Sequence, residues 1–206
     1  TVGCQRRNRR DDRLRIVPMG MLRPAPAWLL ERPIAHRGLH DLNKGRAENS
    51  WAAFHAAIAA GYAIECDVQV SATGEPVVFH DPTLERMTGS VGNVRKHAPD
   101  ELREMRLAGT EDGIFTLGEH LRQVGGRVPL VVELKGVKGH DSRLVEGVAK
   151  ALSGYDGPVA VMSFDHWLLE DFARAMPDVP RGLTAEGGGE ARDTHNVIME
   201  KADLHF

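Results

Sequence analysis

Two carboxylates lie two positions apart in the apolar segment IECDVQV, at Glu65 and Asp67. Side chains of a β-strand alternate between its two faces, so both carboxylates project to one side and Cys66 projects to the other. The segment VVELK repeats this spacing with Glu133 and Lys135. Buried carboxylates are costly unless they are paired, hydrogen-bonded or bound to a metal. The spacing therefore predicts that these strands share a polar site.

A bound divalent cation would relieve the repulsion between three converging carboxylates, those of Glu65, Asp67 and Glu133. Ligands that are all oxygen atoms favour Mg²⁺ or Ca²⁺ over zinc. The competing interpretation of the Glu-x-Asp spacing is one exposed carboxylate and one carboxylate in a salt bridge. Histidines at the ends of two other predicted strands favour the metal site.

Two histidines, His36 and His80, each end an apolar segment and are each followed by a polar residue. Imidazole titrates near neutral pH, so such a pair can act as general base and general acid across one reacting centre. Asp81 is suited to orienting the ring of His80. The remaining histidines fall in predicted helices, loops or the tail and are assigned structural roles: His40, His55, His97, His120, His140, His166, His195 and His205.

Extended and helical segments alternate along the chain from Pro33 onward. Apolar side chains at helical spacing predict the helices, which begin at capping residues such as Ser50 (or Asn49) and Thr116. The predicted strands are PIAHRG, AIECDVQV, PVVFH, PLVVEL, PVAVMSF, RGLT and LHF. The predicted helices are NSWAAFHAAIAAG, TLGEHLRQVGG, DSRLVEGVAKAL, DHWLLEDFARAMP and EARDTHNVIMEKA.

Strand followed by helix recurs six times in this pattern, which is typical of parallel strands joined by helical crossovers. A doubly wound sheet and a (β/α)8 barrel both have this order, but no GxGxxG follows the first strand. Polar residues at many strand ends favour the barrel, whose active site forms at the carboxyl ends of its strands. We expect an α/β fold, a TIM-type barrel over residues 21–206 that lacks the last two strand–helix units and has an insertion at about residues 82–115.

The composition narrows the class of protein further. The 206 residues carry a formal net charge of −3, which gives no general electrostatic attraction to nucleic acid or to anionic membranes. No uncharged run reaches the roughly 20 residues of a membrane span. The two cysteines, Cys4 and Cys66, argue against a disulfide framework and a structural zinc site. A cytoplasmic location is the default expectation, although a signal upstream of this sequence would change it.

Residues 1–20 contain many arginines interleaved with Asp11 and Asp12 and show no apolar periodicity. A disordered leader is the favoured interpretation, and nucleic-acid binding is the alternative. The sequence gives no indication of an oligomeric state.

Several motifs together resemble the signature of the glycerophosphodiester phosphodiesterase family. They are IAHRG, AENS, IECDVQVSATGEPVVFHD, LERMTG, VVELK and SFD, between about Pro33 and Thr184. The resemblance implies a (β/α)8 barrel with a bound divalent metal. It also implies a small-molecule substrate, a glycerophosphodiester, which is hydrolysed to glycerol 3-phosphate and an alcohol.

The resemblance also implies roles for the residues at matching positions. His36 corresponds to the proton acceptor and His80 to the proton donor. The implied metal ligands are Glu65, Asp67 and Glu133. The residues implied near the phosphate or lining the site are Arg37, Glu48, Asn49 and Lys135. In the family, either the glycerol hydroxyl attacks first and gives a cyclic intermediate, or water attacks directly, and the sequence leaves both routes open.

Two other functions stay open on the sequence. The first is a phospholipase-D-like lyase of the same barrel group, which forms a cyclic phosphate from a lipid. Its mark would be an exposed apolar loop facing the membrane, and residues 81–113 are too polar to suggest one. The second is a non-catalytic truncated barrel that binds phosphodiesters or a protein partner. The missing strands favour this second alternative, whereas the intact histidines and carboxylates oppose it.

Overall fold

A computed structural model describes residues 24–137, 141–184 and 204–206. Three sequence predictions lie outside the described residues: the leader at 1–20, the helix EARDTHNVIMEKA, and the assignments of His140 and His195.

The described strands form one sheet in the order β1, β2, β4, β5, β6. Their bounds are β1 Ile34–Ala35, β2 Ala63–Val70, β3 Pro76–Val78, β4 Leu130–Leu134, β5 Val159–Ser163 and β6 Arg181–Leu183. Neighbours in this order are parallel, and β3 pairs antiparallel with β2 as the second arm of a hairpin. The α/β class with helical crossovers is confirmed. Within the described residues the sheet is open, with β1 and β6 at its edges.

Seven α-helices lie in the described residues. They are α1 Trp28–Glu31, α2 Trp51–Ala59, α3 Glu85–Thr88, α4 Pro99–Arg103, α5 Leu117–Val124, α6 Ser142–Leu152 and α7 His166–Ala175. Four of them, α2, α5, α6 and α7, follow strands where the apolar spacing and capping residues predict them. The other three, α1, α3 and α4, are short and are not predicted by that spacing. Ser50 caps α2 by accepting a hydrogen bond from the backbone of Ala53. Thr116 and Glu119 form the reciprocal capping box of α5. The local signals therefore determined where these helices begin.

Strand register brings the acidic positions level with each other. Asp67 of β2 pairs with Glu133 of β4, and Glu65 pairs with Val131. All residues of β2 and β4 are buried, as expected for central strands covered on both faces. The polar side chains on these strands are thus enclosed, and the apolar side chains on the opposite face pack against the helices.

The connection at 82–115 is an ordered unit with its own apolar cluster. It contains α3, α4 and two 3-10 turns, Val94–Lys96 and Leu107–Gly109. Its buried side chains pack with Val77 and Phe79, at and just beyond the end of β3: Leu84, Met87, Val94, Leu102, Leu107 and Ile114. This second cluster fixes the insertion against the end of the hairpin, beside the site.

The segment LHF lies along β6, where the sequence predicts the start of a further strand. The backbone N–H of His205 donates to the carbonyl of Arg181 at 2.7 Å, and that of Leu183 donates to the carbonyl of Phe206 at 2.9 Å. Among the described residues, no helix is both long enough and apolar enough to cross a bilayer.

Candidate active site

Three carboxylates meet where β2 and β4 run side by side. Glu65, Asp67 and Glu133 each offer an oxygen atom, and these atoms all lie within 4.8 Å of one another. All three side chains are buried. The two-residue spacing on β2 and the register with β4 produce this cluster, as the alternation of side chains predicts.

Two cations partly neutralise the cluster. The Nζ atom of Lys135 lies 2.5 Å from Oε1 of Glu133 and 3.3 Å from Oδ1 of Asp67. The Nε atom of Arg37 lies 3.2 Å from Oδ2 of Asp67. Two positive charges face three buried carboxylates, so the cluster keeps an excess of negative charge when all three are ionised.

The loop after β1 is tied to β2 through Arg37 and Asn49, which both have positive φ angles. The backbone N–H of Arg37 donates to Oε2 of Glu65 at 2.8 Å. The side-chain amide of Asn49 donates to Oδ2 of Asp67 at 2.9 Å and accepts from the backbone of Asp67 at 3.3 Å. The strained backbone at both positions is held by bonds to the carboxylates.

Gly38 of the HRG motif is required by packing as well as by its φ of 78°. A Cβ atom at this position would lie 2.8 Å from the Phe54 ring and 2.9 Å from Cβ of Ala53. The turn after β1 therefore lies directly on α2, and this close approach places His36 and Arg37 beside the carboxylates.

Burial raises the pKa of two of these carboxyl groups, those of Glu65 and Glu133. The pKa of Glu65 rises to about 8, because of burial first and of the neighbouring charges of Asp67 and Glu133 after it. Burial also raises the pKa of Glu133, against the opposing effect of Lys135. A group whose ionised form is disfavoured in this way gains from a cation placed beside it.

The donor set fits a hard divalent cation. Oε1 of Glu65 is buried and has no hydrogen-bond partner among the described residues. Unsatisfied buried oxygen atoms are rare, and an ion that contacts them removes the cost of burying them. The carboxylates of Glu65, Asp67 and Glu133 thus form a possible divalent-metal site made only of oxygen ligands.

His36 follows β1 and stands at the edge of the cluster. Its Nε2 atom lies 3.9 Å from Oε2 of Glu65, and 65% of its side chain is exposed. Partial burial and the charge of Arg37 lower the pKa of His36, against the opposing charge of Asp67. The neutral imidazole, which can accept a proton, is therefore favoured at neutral pH, and it is open to a ligand.

His80 follows β3, close enough to the cluster to act on Glu133. Its Nδ1 atom is 2.6 Å from Oδ1 of Asp81, as expected if the carboxylate orients the ring. Its backbone carbonyl accepts a hydrogen bond from Gln69 of β2 at 2.9 Å. A positive charge on its ring would oppose the burial that raises the pKa of Glu133. With Nδ1 engaged by Asp81, Nε2 is the ring nitrogen that is available to a ligand.

The carboxylate of Glu48 binds the guanidinium groups of two arginines, Arg37 and Arg86. Its Oε1 accepts from Arg37 at 3.0 Å and from Arg86 at 2.6 Å. Burial acts to raise the pKa of Glu48, but the hydrogen bonds and charges of Arg86 and Arg37 outweigh it and lower that pKa. An anion does not attract a phosphate, so Glu48 lines the site by positioning Arg37.

A cavity of about 430 Å³ opens beside the cluster, between the ends of β4 and β5. Glu133 and Lys135 lie on one side of it, and the half-exposed Phe164 and Trp167 lie on the other. The Nζ atom of Lys135 is 5.4 Å from the centre of the Phe164 ring. A ligand bound at the carboxylates has room here for an attached group.

A larger cavity, about 950 Å³, lies between α5, α6 and the turn of the β2–β3 hairpin. None of the clustered carboxylates and neither of the two site histidines lines it. Although this cavity is larger, it is not the candidate active site, because the carboxylates and histidines with catalytic potential lie elsewhere.

Comparison with known proteins agrees with this geometry. The sequence model of the Glycerophosphoryl diester phosphodiesterase family matches residues 36–205. The chain belongs to this family. A glycerophosphodiester phosphodiesterase of Caldanaerobacter subterraneus is 32% identical over 185 residues, covering 84% of this chain and 74% of that protein. A glycerophosphodiester phosphodiesterase of Bacillus altitudinis is 32% identical over 157 residues, and the match spans 70% of this chain and 62% of that protein.

Solved structures of the family share the fold. A phosphodiesterase of Oleispira antarctica, in complex with the product sn-glycerol-3-phosphate, matches with a TM-score of 0.73 and 29% identity, over 85% of this chain and 73% of that one. A glycerophosphodiester phosphodiesterase of Thermotoga maritima matches with a TM-score of 0.66 and 26% identity, over 83% of this chain and 70% of that one. The expectations of a TIM-type fold and of a phosphodiesterase of this family are confirmed.

The structure brings together every residue that the sequence predicts for the site of this phosphodiesterase: His36, Arg37, Glu48, Glu65, Asp67, His80, Glu133 and Lys135. One contact was missed. Arg86 lies within the motif LERMTG, which carried the resemblance but had no role assigned to it. No spacing rule connects Arg86 with Glu48, which precedes it by 38 residues, so only the packing of the insertion reveals the contact.

Proposed function

We propose that this chain hydrolyses glycerophosphodiesters to glycerol 3-phosphate and an alcohol, with a divalent metal. The observation that carries the proposal is the convergence of Glu65, Asp67 and Glu133 beside Arg37 and Lys135. A substrate anion would be repelled by the carboxylates alone. The glycerol 3-phosphate bound in the Oleispira antarctica phosphodiesterase supports the same class of ligand here.

Glu65, Asp67 and Glu133 would hold the metal, and their oxygen atoms favour Mg²⁺ or Ca²⁺. When bound there, a cation of this kind supplies positive charge that orients the diester and stabilises charge on the phosphoryl oxygens.

Arg37 and Lys135 would position the phosphate. Their side chains are partly exposed and lie next to the carboxylates, so each can contribute a charge-assisted hydrogen bond to a phosphoryl oxygen. Glu48 keeps the guanidinium of Arg37 in place through its 3.0 Å bond. A fixed guanidinium loses less freedom when the substrate binds.

His36 would accept a proton from the attacking hydroxyl, and His80 would donate a proton to the leaving alcohol. The supporting observations are positional: His36 follows β1 at the edge of the cluster, and His80 follows β3 with its ring oriented by Asp81. An acid and a base placed on either side of one centre suit this exchange. Attack by the glycerol hydroxyl and attack by water both use these two positions.

A cytoplasmic location is part of the proposal. It is supported by the buried free thiol of Cys66 on β2, since unpaired cysteines are typical of reducing compartments.

The test is release of glycerol 3-phosphate from glycerophosphocholine and from several other diesters, with Mg²⁺, with Ca²⁺ or with a chelator. We expect turnover with a metal and none with the chelator. The variant His36→Ala should lose most turnover, whereas His55→Ala, which alters an exposed side chain on α2, should keep it.

Turnover in the presence of chelator, or full activity of His36→Ala, would contradict the proposed mechanism. Binding of diesters without turnover under either metal would instead favour the non-catalytic interpretation.

A further inference from the structure

Arg86, on the short helix α3, makes paired hydrogen bonds to two carboxylates at once. Its Nε and Nη2 atoms donate to Oδ2 and Oδ1 of Asp81 at 2.5 and 3.1 Å. Its Nη2 and Nη1 atoms donate to Oε1 and Oε2 of Glu48 at 2.6 and 3.1 Å. The planar guanidinium matches two carboxylates in this way because its donors have a fixed geometry.

Each of the two carboxylates holds a residue of the site. Asp81 binds Nδ1 of His80 at 2.6 Å, and Glu48 binds Nη1 of Arg37 at 3.0 Å. The result is a chain of alternating charges that runs from Arg37 through Glu48, Arg86 and Asp81 to His80. Arg86 is the central link of this chain, and it comes from the insertion rather than from a strand.

The hydrogen bonds from Arg86 and His80 keep the carboxylate of Asp81 ionised. Burial acts to raise the pKa of Asp81, but hydrogen bonds from Arg86 and His80 outweigh it and lower that pKa. An ionised Asp81 can only accept hydrogen bonds, so it accepts one from Nδ1–H of His80 and leaves Nε2–H of the ring for the substrate. The second hydrogen bond from Arg86 to Oδ1 fixes the direction in which that oxygen faces.

We infer that Arg86 is a positioning residue for the proton donor: it holds Asp81, and through Asp81 the imidazole of His80, in the orientation that protonates the leaving alcohol. The inference rests on the proposed function. In that step the oxygen of the attacking hydroxyl or water forms its bond to phosphorus and gives its proton to His36. The bond between phosphorus and the alcohol oxygen breaks, and that oxygen takes the proton from Nε2 of His80. The hydrogen bonds of Arg86 go to Asp81, Glu48 and Met87, and none of these is a proposed metal ligand.

A Lys at this position could not replace Arg86. A single ammonium group offers no planar set of donors, so it cannot bind both oxygens of Asp81 and both oxygens of Glu48 together. The variant Arg86→Lys keeps the positive charge but loses the planar set of donors. It therefore distinguishes a positioning role of Arg86 from a purely electrostatic one.

The experiment compares two diesters that differ in the leaving group. One is glycerophosphocholine, whose alkoxide leaves only when it is protonated. The other is the p-nitrophenyl ester of glycerol 3-phosphate, whose phenolate leaves without a proton. Saturating and single-turnover rates with the metal present are measured for the wild type and for the variants Arg86→Met, Arg86→Lys, Asp81→Asn and Arg103→Met.

We expect Arg86→Met to turn over glycerophosphocholine about tenfold to a hundredfold more slowly, since general acid catalysis contributes at least this much. The nitrophenyl ester should slow by less than about threefold, because it does not use the proton donor. Asp81→Asn should show the same selective loss, and Arg86→Lys should restore only a small part of the rate.

Arg103 offers a matched control in the same insertion. It also binds two carboxylates, those of Asp100 at 2.7 Å and Glu119 at 2.6 Å, and its side chain is 44% exposed against 47% for Arg86. Because neither carboxylate contacts the site, Arg103→Met should leave both rates unchanged within about twofold.

An equal loss with both diesters in Arg86→Met, or no loss with either, would overturn the inference and leave the proposed function standing. If Arg86→Met fails to fold, Arg86→Lys and Asp81→Asn decide the question by the same selectivity. A wild type that turns over neither diester would overturn the proposed function and the inference with it.

Discussion

At the residue scale, the charges of the site are arranged in layers. The inner layer is the group of three buried carboxylates, and Lys135 and Arg37 contact it. The outer layer is the chain through Arg86, in which each carboxylate binds two partners. Of the two layers, both within the described residues, only the inner one has buried carboxylate oxygens without a hydrogen-bond partner, and Oε1 of Glu65 is one of them. The inner layer therefore suits a cation, and the outer layer suits positioning.

His120 of α5 shows how differently a histidine behaves in the core. Its ring is fully buried, lies 4.2 Å from the Phe54 ring between centroids, and has no hydrogen-bond partner for either nitrogen among the described residues. Burial lowers the pKa of His120 to about 3, below the value near 6.5 of the unfolded chain. The unfolded state thus binds a proton first, and stability is lost as the pH falls from about 6.5 toward 3.

The variant His120→Leu should lose this part of the acid sensitivity. Between pH 7.5 and pH 5, the free energy of unfolding should fall by about 2 kcal/mol less in the variant than in the wild type. Urea unfolding at the two pH values measures the difference. The control His55→Leu should keep the wild-type pH dependence, because His120 stays buried. An unchanged pH dependence in His120→Leu would show that the ring is protonated in the folded state.

At the scale of elements, the turn of the β2–β3 hairpin packs against α6. A Cβ atom at Gly147 of α6 would come within 2.6 Å of the carbonyl oxygen of Gly74, in the hairpin turn. The close approach fixes the hairpin, and β3 in turn leads into His80 and the insertion. The packing of one helical glycine is thus connected to the position of His80.

Gly147→Ala should therefore destabilise the protein, although Ala normally stabilises a helix. The added methyl group meets a backbone atom, so the free energy of unfolding should fall by about 1–3 kcal/mol. Gly118→Ala is the matched control, because a Cβ atom at that position of α5 meets nothing closer than 3.6 Å. It should be neutral or stabilising by up to about 1 kcal/mol. Denaturant unfolding of both variants measures the change in the free energy of unfolding. A Gly147→Ala variant more stable than the wild type would refute the close approach of Gly147 to Gly74.

At the scale of the whole molecule, the site is formed by residues from distant parts of the chain. The loop after β1, strands β2 and β4, and the segment after β3 each contribute a charged group. Folding thus brings mutually repelling carboxylates together, and a ligand that binds only the folded state should stabilise all of these elements at once.

Adding Mg²⁺ or Ca²⁺ should accordingly raise the melting temperature. At a metal concentration about 100 times the dissociation constant, the gain is about 2.7 kcal/mol, which corresponds to roughly 5–10 °C for a chain of this size. Differential scanning calorimetry with metal and with chelator measures the shift. The variant Asp67→Asn, which alters one of the proposed metal ligands, should show almost no response. An equal shift in the variant would place the bound metal elsewhere.

The sequence by itself determined the secondary structure around the site and the direction of its carboxylates. The alternation of side chains put Glu65 with Asp67 and Glu133 with Lys135, and caps such as Thr116 marked the starts of the helices. These features depend on neighbours a few positions away, which is why local spacing predicts them.

Only the tertiary structure decided which charges meet. It placed Lys135 between Glu133 and Asp67, enclosed His120 in an aromatic cluster, and brought Arg86 of the insertion to Glu48. Such contacts depend on how a non-periodic loop packs on the sheet. A loop has no repeating geometry from which its side-chain directions can be derived, so its contacts are settled only by packing.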